Sequence, residues 1–292
     1  MSYLTTPAGP APAATGTGPL GIGAPGFAHP LLAPTEWAEL LRLARGLTQD
    51  RGAAGGAPRG AAGRAPRGAA GAPVAGGTAG ESPPGVLPPL HWAVLNVARG
   101  PGSRPDPYCL PAAAQLRDAG VRLLGHLDVR HGSRPLGELT DDARRFLEWY
   151  KADGFWLDRC PTDRTGVSGM RRLSEVLRAL TDGGYLVGDH GVPPHPDYVT
   201  TADQLVTFRG PWSAYRRSRA PEWTAGHPPE RFCHLVHGLP RAHLEEALDI
   251  AREQRAGTVC FTDRTDREGD AWESLPGHWD AFVSHIGPGV SE

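Results

Sequence analysis

Eight short apolar runs, nearly all ending on or beside a polar residue and separated by helical stretches, constrain the fold of this chain most. The runs fall at 21–29, 91–96, 121–128, 154–158, 185–189, 203–208, 232–237 and 258–263. Behind the third lies a stripe of Leu136, Leu139, Ala143, Phe146, Leu147 and Tyr150. Behind the fourth lies one of Met170, Leu173, Val176, Leu177 and Leu180. That spacing gathers apolar groups on one face of a helix. Helical patterns also surround Trp37 to Ala44, Ala112 to Ala119 and Leu244 to Ala251. Gly120, Gly154, Gly183 with Gly184, and Gly257 stand between a helix end and the next strand, where a left-handed C-cap is predicted.

Length decides which βα architecture these units build. Of the 292 residues, 1–19 are mostly Pro, Ala, Gly and Thr and are predicted to form a disordered leader. Residues 47–90 hold "APRGAAG" twice, at 57–63 and 65–71, and are expected to be a flexible low-complexity insertion. With a tail at 288–292 also set aside, the single domain at 20–287 carries close to the about 250 residues typical of a closed barrel. The alternative, an open doubly wound sheet, would normally carry a Gly-rich phosphate turn after its first strand. No GxGxxG or GxxxxGK[ST] is present. The prediction is therefore an α/β fold, a (β/α)8 TIM-type barrel.

Charge and cysteine content narrow the function. The net charge of −2 offers no field for nucleic acid or a membrane surface. Arg51, Arg59, Arg64 and Arg67 in the insertion, set against Asp50 and Glu81, make a poor polyanion-binding tail. Cys109, Cys160, Cys233 and Cys260 show no metal spacing and are expected to be buried free thiols. His234, His237 and His243 form no ligand set, so neither metal nor cofactor is expected. The N-terminus lacks a basic and an apolar signal region, and no apolar run approaches the about 18 residues of a membrane span. A cytoplasmic location is the expectation.

In such barrels, chemistry sits at the C-terminal ends of the strands. Those ends read His29, Asn96, Asp128, Asp158, Asp189 with His190, Arg209, His237 and Asp263, which predicts a polar pocket at one mouth. Alternation places Gly154, Trp156 and Asp158 on one face of "GFWLD", with Phe155 and Leu157 on the other. By the same rule Leu205, Thr207 and Arg209 are expected inside the barrel, with Val206 and Phe208 outside. No GxSxG nucleophile elbow is present.

Several segments in order, among them "GFAHPLLAPTEWAEL", "VLNVARGPGSRPDPYC", "AGVRLLGHLDVRHGSRPLGEL", "FLEWYKADGFWLD", "RFCHLVHGLP" and "FTDRTDREGDAWESLPGHW", resemble the spherulin-4-like proteins, spherulation-specific family 4. The resemblance covers about 21–45 and 91–285. It implies a (β/α)8 barrel related to glycoside hydrolases that act on galactosamine-containing polysaccharide. In that family the fourth strand usually ends in Asp-Glu, the sixth in a Glu after an aromatic residue, and the fifth is followed by Asn-Pro-Gly. Here Asp158 matches the Asp, whereas Arg159 and Arg209 stand at the two Glu positions and Asp189-His190-Gly191 replaces Asn-Pro-Gly. Arginine cannot act as acid, base or nucleophile. The resemblance thus implies a catalytically degenerate barrel that binds a carbohydrate or another small polar ligand, or serves as a scaffold. The alternative is an active hydrolase with a re-purposed carboxylate pair around Asp158, acting on galactosaminoglycan or an anionic sugar. A third class, partner or nucleic-acid binding through the insertion, has only the four arginines in its favour. His29, Asn96, Asp128, Asp189, His190, Asp263 and Trp272 are the candidate ligand contacts.

Overall fold

The computed structural model describes residues 20–53, 90–267 and 269–286. The strands are β1 (Gly21–Ala24), β2 (Leu90–Leu95), β3 (Leu123–Asp128), β4 (Gly154–Asp158), β5 (Tyr185–Asp189), β6 (Gln204–Pro211), β7 (Phe232–His237) and β8 (Thr258–Phe261). They are all parallel and close in sequence order, with β1 bonded to both β2 and β8. Helices α1 (Pro34–Ala53), α2 (Cys109–Asp118), α3 (Leu136–Arg145), α4 (Val167–Thr181), α5 (Trp212–Tyr215), α6 (Leu244–Glu253) and α7 (Trp279–Ile286) connect or follow them. The fold is the predicted (β/α)8 barrel. The expected insertion overlaps described chain at both ends, since α1 continues to Ala53 and β2 begins at Leu90. The expected leader 1–19, residues 54–89 and the tail 288–292 lie outside the described residues.

Alternation along each strand divides the core in two. Leu127, Phe155, Leu157, Leu186 and Val236 face the helices. Trp92, Val94, Leu124, Trp156, Val187, Val206, Cys233 and Leu235 fill the barrel, closed above by Ala271 and Trp272. The rings of Trp92 and Trp156 lie 5.1 Å apart, and Trp92 Nε1 donates to Gln204 Oε1 at 2.8 Å. β1 makes room for this content by presenting glycine inward. A Cβ on Gly23 would sit 2.4 Å from the Trp92 ring, and one on Gly21 would overlap His91.

Two expectations about local geometry need correction. Gly120 (φ 78°) and Gly183 (φ 92°) do adopt the left-handed conformation after α2 and α4, but Gly154 and Gly257 do not. Lys151 and Arg255 take positive φ at those joints instead. Gly154 is required by crowding, because a Cβ there would lie 1.9 Å from Tyr185 O. Gly257 is packed against the Glu230 backbone in the same way.

The second correction concerns β6. Val206 points into the barrel and Leu205 out, the reverse of the simple alternation. Val206 pairs with Cys233 and Phe208 with His234, so Thr207 is an extra residue on β6, a β-bulge. Thr207 and Phe208 both face outward, Thr207 bonding His234 and Phe208 packing on Tyr215. That shift restores Arg209 to the interior.

Candidate functional site

The C-terminal ends of the strands enclose a cavity of about 820 Å³. Asp128 and Asp158 are register partners on β3 and β4, so two carboxylates stand side by side at its floor. Each is held by a different cation. Arg159 grips Asp128, with Nε 2.9 Å from Oδ1 and Nη2 closing on Oδ2. Arg209 Nη1 lies 2.5 Å from Asp189 Oδ2 and 3.4 Å from Asp158 Oδ1, bridging the ends of β4 and β5. His126 Nε2 reaches Asp158 Oδ2 at 3.3 Å. Arg209 thus serves Asp158 as well as Asp189. Arg159 turns instead to Asp128 and acts on Asp158 only through its charge.

These contacts split the carboxyl groups. Burial opposes ionisation of Asp158, but the His126 hydrogen bond and the Arg209 and Arg159 charges outweigh it, holding its pKa below the ordinary value. Asp128 is lowered in the same way, burial being overcome chiefly by Arg159. Asp189 goes the other way. Its burial prevails over the attraction of Arg209 and, with Asp158 adding repulsion, pushes it up to about 6.

A pH signature follows. Between the ordinary value of 3.8 and about 6, folded Asp189 keeps a proton that the unfolded chain has lost. Its contribution to stability therefore falls as pH rises through that window, by up to about 3 kcal/mol. Asp158 and Asp128 act oppositely, contributing stability above the ordinary carboxylate pKa that is lost as pH falls through their lowered values. Urea unfolding from pH 4 to 7 should show the wild type losing stability relative to Asp189→Asn. A constant difference across that range would refute the assignment.

Other predicted residues are placed as follows. His29, Asn96 and Trp272 line the cavity together with Asp128, Asp158, Arg159 and Arg209. Asn96 Oδ1 accepts from Gly100 N at 3.1 Å and so shapes the loop after β2. Trp272 is only 5% exposed and packs edge-on to His237, capping the interior core more than offering a broad face to the cavity. Asp189 lies buried behind Arg209. Two candidates point elsewhere. His190 is buried outside the barrel wall, its Nδ1 bonded to Pro161 O and its ring on Tyr198, because it follows the inward Asp189 by one residue. Asp263 turns away to accept from Gly277 N at 3.0 Å.

The sequence reading passed over His126, although it shares a face with Asp128 and the period-two rule could have found it. Arg99, Arg130, Asp270 and Glu273 also line the cavity, but they lie in loops, where no period applies.

Among the described residues one His–Asp–Cys group has the dimensions of a metal site: His29, Asp106 and Cys109, with ligand atoms within 4.8 Å of one another. Its atoms are already engaged. Asp106 Oδ1 accepts from the backbone N–H groups of Tyr108 and Cys109 at the start of α2 and from His29 Nε2 at 3.1 Å. Burial and Asp106 push the Cys109 thiol up to about 12, away from the thiolate a metal needs. Cys160 and Cys233 are buried free thiols as expected, and Cys260 is partly buried. No helix among the described residues is long and apolar enough to cross a membrane.

Comparison with solved structures matches the barrel to the crystal structure of Aspergillus clavatus Sph3 in complex with GalNAc. The TM-score is 0.70 at 19% identity, covering 94% of this chain and 100% of that one. The glycoside hydrolase domain of PelA from Pseudomonas aeruginosa matches with a TM-score of 0.39 at 16% identity, over 63% of this chain and 89% of that one. Comparison with curated protein sequences yields no significant match. The model of spherulation-specific family 4 matches residues 90–286, which run from β2 to the end of α7 and carry most of the cavity's charged floor. With its barrel, its strand-end cavity and that match, the chain belongs to spherulation-specific family 4.

Proposed function

We propose that this barrel binds a carbohydrate in the strand-end cavity and does not hydrolyse it by the two-carboxyl route. The observation that carries this reading is the ion pairing of the floor. Glycoside hydrolysis usually needs one carboxyl group that is protonated when the sugar binds and a second that stays ionised. Asp158, matched to the family's acid, is held ionised by Arg209 and His126. Asp128 is held by Arg159. Asp189 has the pKa of a proton donor near neutrality, yet it is buried behind Arg209 and does not line the cavity. The polar cavity, with Trp156 and Trp272 in its lining, suits a hydroxyl-rich ligand. A GalNAc complex of the similarly folded Sph3 supports the same reading.

The substitutions also compensate one another. Where the resemblance implies Glu and Asn, this chain has Arg209 and Asp189, and the two form an ion pair. Restoring activity therefore requires Asp189→Asn beside Arg159→Glu and Arg209→Glu; otherwise Asp158, Asp189 and the two introduced carboxyl groups crowd one site. The wild type should release no reducing ends from galactosaminoglycan-type substrates, and isothermal titration should detect binding of an oligosaccharide. Turnover by the wild type that is lost in Asp158→Asn would overturn the non-catalytic half of the reading.

A further inference from the structure

Three of the cavity's arginines are committed to partners. Arg209 bridges Asp158 and Asp189, Arg159 holds Asp128, and Arg134 is bonded to Asp142 and Glu138. Two are not. The Arg99 side chain makes no hydrogen bond or ion pair among the described residues. Arg130 donates its backbone N–H to Asp128 Oδ1 at 2.9 Å, but its guanidinium has only a 3.9 Å contact from Nε to Asp128 Oδ2, an oxygen already taken by Arg159. Both line the cavity, from the loops that follow the adjacent strands β2 and β3.

Their backbone is the second observation. Arg99 has φ 56°, Arg130 φ 47° and Arg159 φ 54°, so the ends of three consecutive strands each present an arginine from the left-handed region. That region costs a residue with a Cβ on the order of 1 kcal/mol relative to glycine. Of the other positive-φ residues that are not glycine, Lys151, Asp182 and Arg255 close helices, and His131 (φ 54°) follows Arg130 in the same tight turn. No helix cap explains the arginines at the mouth, where glycine would be the less strained choice.

The acids facing the same space do not cancel this wall. Asp128 and Asp158 are spent on Arg159 and Arg209, and Asp270 accepts from Trp272 N within the loop after β8. Glu273 is the remaining acid in the lining and lies on that same loop. A neutral sugar replaces the water on an unpaired guanidinium with hydroxyl acceptors but leaves its charge unbalanced. A carboxylate or sulfate ester replaces that water with charge-assisted, bidentate hydrogen bonds.

We propose that Arg99 and Arg130 form a subsite for the anionic group of an acidic saccharide. This rests on the carbohydrate reading above and adds the ligand's class to it.

The test is titration of the full chain with a galacturonate trisaccharide, a sulfated trisaccharide, a neutral trisaccharide and inorganic phosphate. The variant is Arg99→Gly with Arg130→Gly, which removes both guanidinium groups while easing the backbone. The wild type should bind a charged trisaccharide at least tenfold more tightly than the neutral one, with the preference shrinking as salt rises. The galacturonate and sulfated arms identify which anion is recognised. The double variant should melt no lower than the wild type and lose the preference while retaining neutral binding. Equal binding of charged and neutral sugars, or a preference that survives in the variant, overturns the subsite and leaves carbohydrate binding standing. Arginine-dependent uptake of phosphate with no saccharide bound upholds the anion site and overturns the carbohydrate reading. No binding of any probe overturns both.

Discussion

Arg209→Met will destabilise the barrel by roughly 3 kcal/mol above neutral pH. Breaking a buried ion pair by removing one partner costs about 3–5 kcal/mol, and the lower end applies because Arg209 is 34% exposed and partly screened. Asp189, 3% exposed, is left without its cation, and Asp158 loses one of two contacts. The cost should shrink towards pH 4, where Asp189 carries a proton and no longer needs a counter-charge. Adding Asp189→Asn should recover most of the loss, since a neutral pair replaces an unpaired buried charge. Urea unfolding of the wild type and the two variants at pH 8 and pH 4 measures this. An Arg209→Met protein as stable as the wild type at pH 8 would show that the bridge holds nothing together.

Trp92→Ala will cost about 3–5 kcal/mol, the range for removing a buried large aromatic side chain. Trp92 is fully buried against Trp156, and its indole N–H satisfies Gln204 Oε1, which loses that donor when the ring is removed. Gln204 in turn bonds Thr258 Oγ1 and Glu230 O, so the loss reaches the bottom of β8 and the turn before β7. Gly23 supplies the control. Gly23→Ala should be strongly destabilising alone, because its methyl group would overlap the Trp92 ring, and much milder in the Trp92→Ala background. Additive losses in the double-mutant cycle would refute the proposed packing.

The barrel was readable because its repeating signals are local. All eight strands lie within the predicted runs, apart from short extensions of β2 and β6. Period-two alternation then placed Trp156 and Asp158 inside and Phe155 and Leu157 outside, as observed. The same rule failed on β6 because an extra residue at Thr207 resets the phase, and no single-residue propensity announces a bulge. Phe208 and Arg209 were correctly placed, although Leu205, Val206 and Thr207 were assigned to the wrong faces.

The charged site divides along the same line. Its strand-end carboxylates could be listed from the chain, and so could Arg159 and Arg209 at the ends of the fourth and sixth strands. Sequence order had nothing to say about which cation meets which anion. Arg159 adjoins Asp158 in the chain yet binds Asp128, because its left-handed backbone turns it towards the neighbouring strand. Asp189 and Arg209 meet across a strand boundary 20 residues apart. Arg99 and Arg130 lie in loops outside any period, and only closure of the barrel brings them to the wall of one cavity. Hydrophobic period is a property of neighbouring residues, so the chain carries it openly, whereas Gly154 and Gly257 answer to crowding by Tyr185 and Glu230 from other segments. Charge pairing depends on distances of a few ångströms between segments far apart in sequence, and those distances exist only once the barrel has closed.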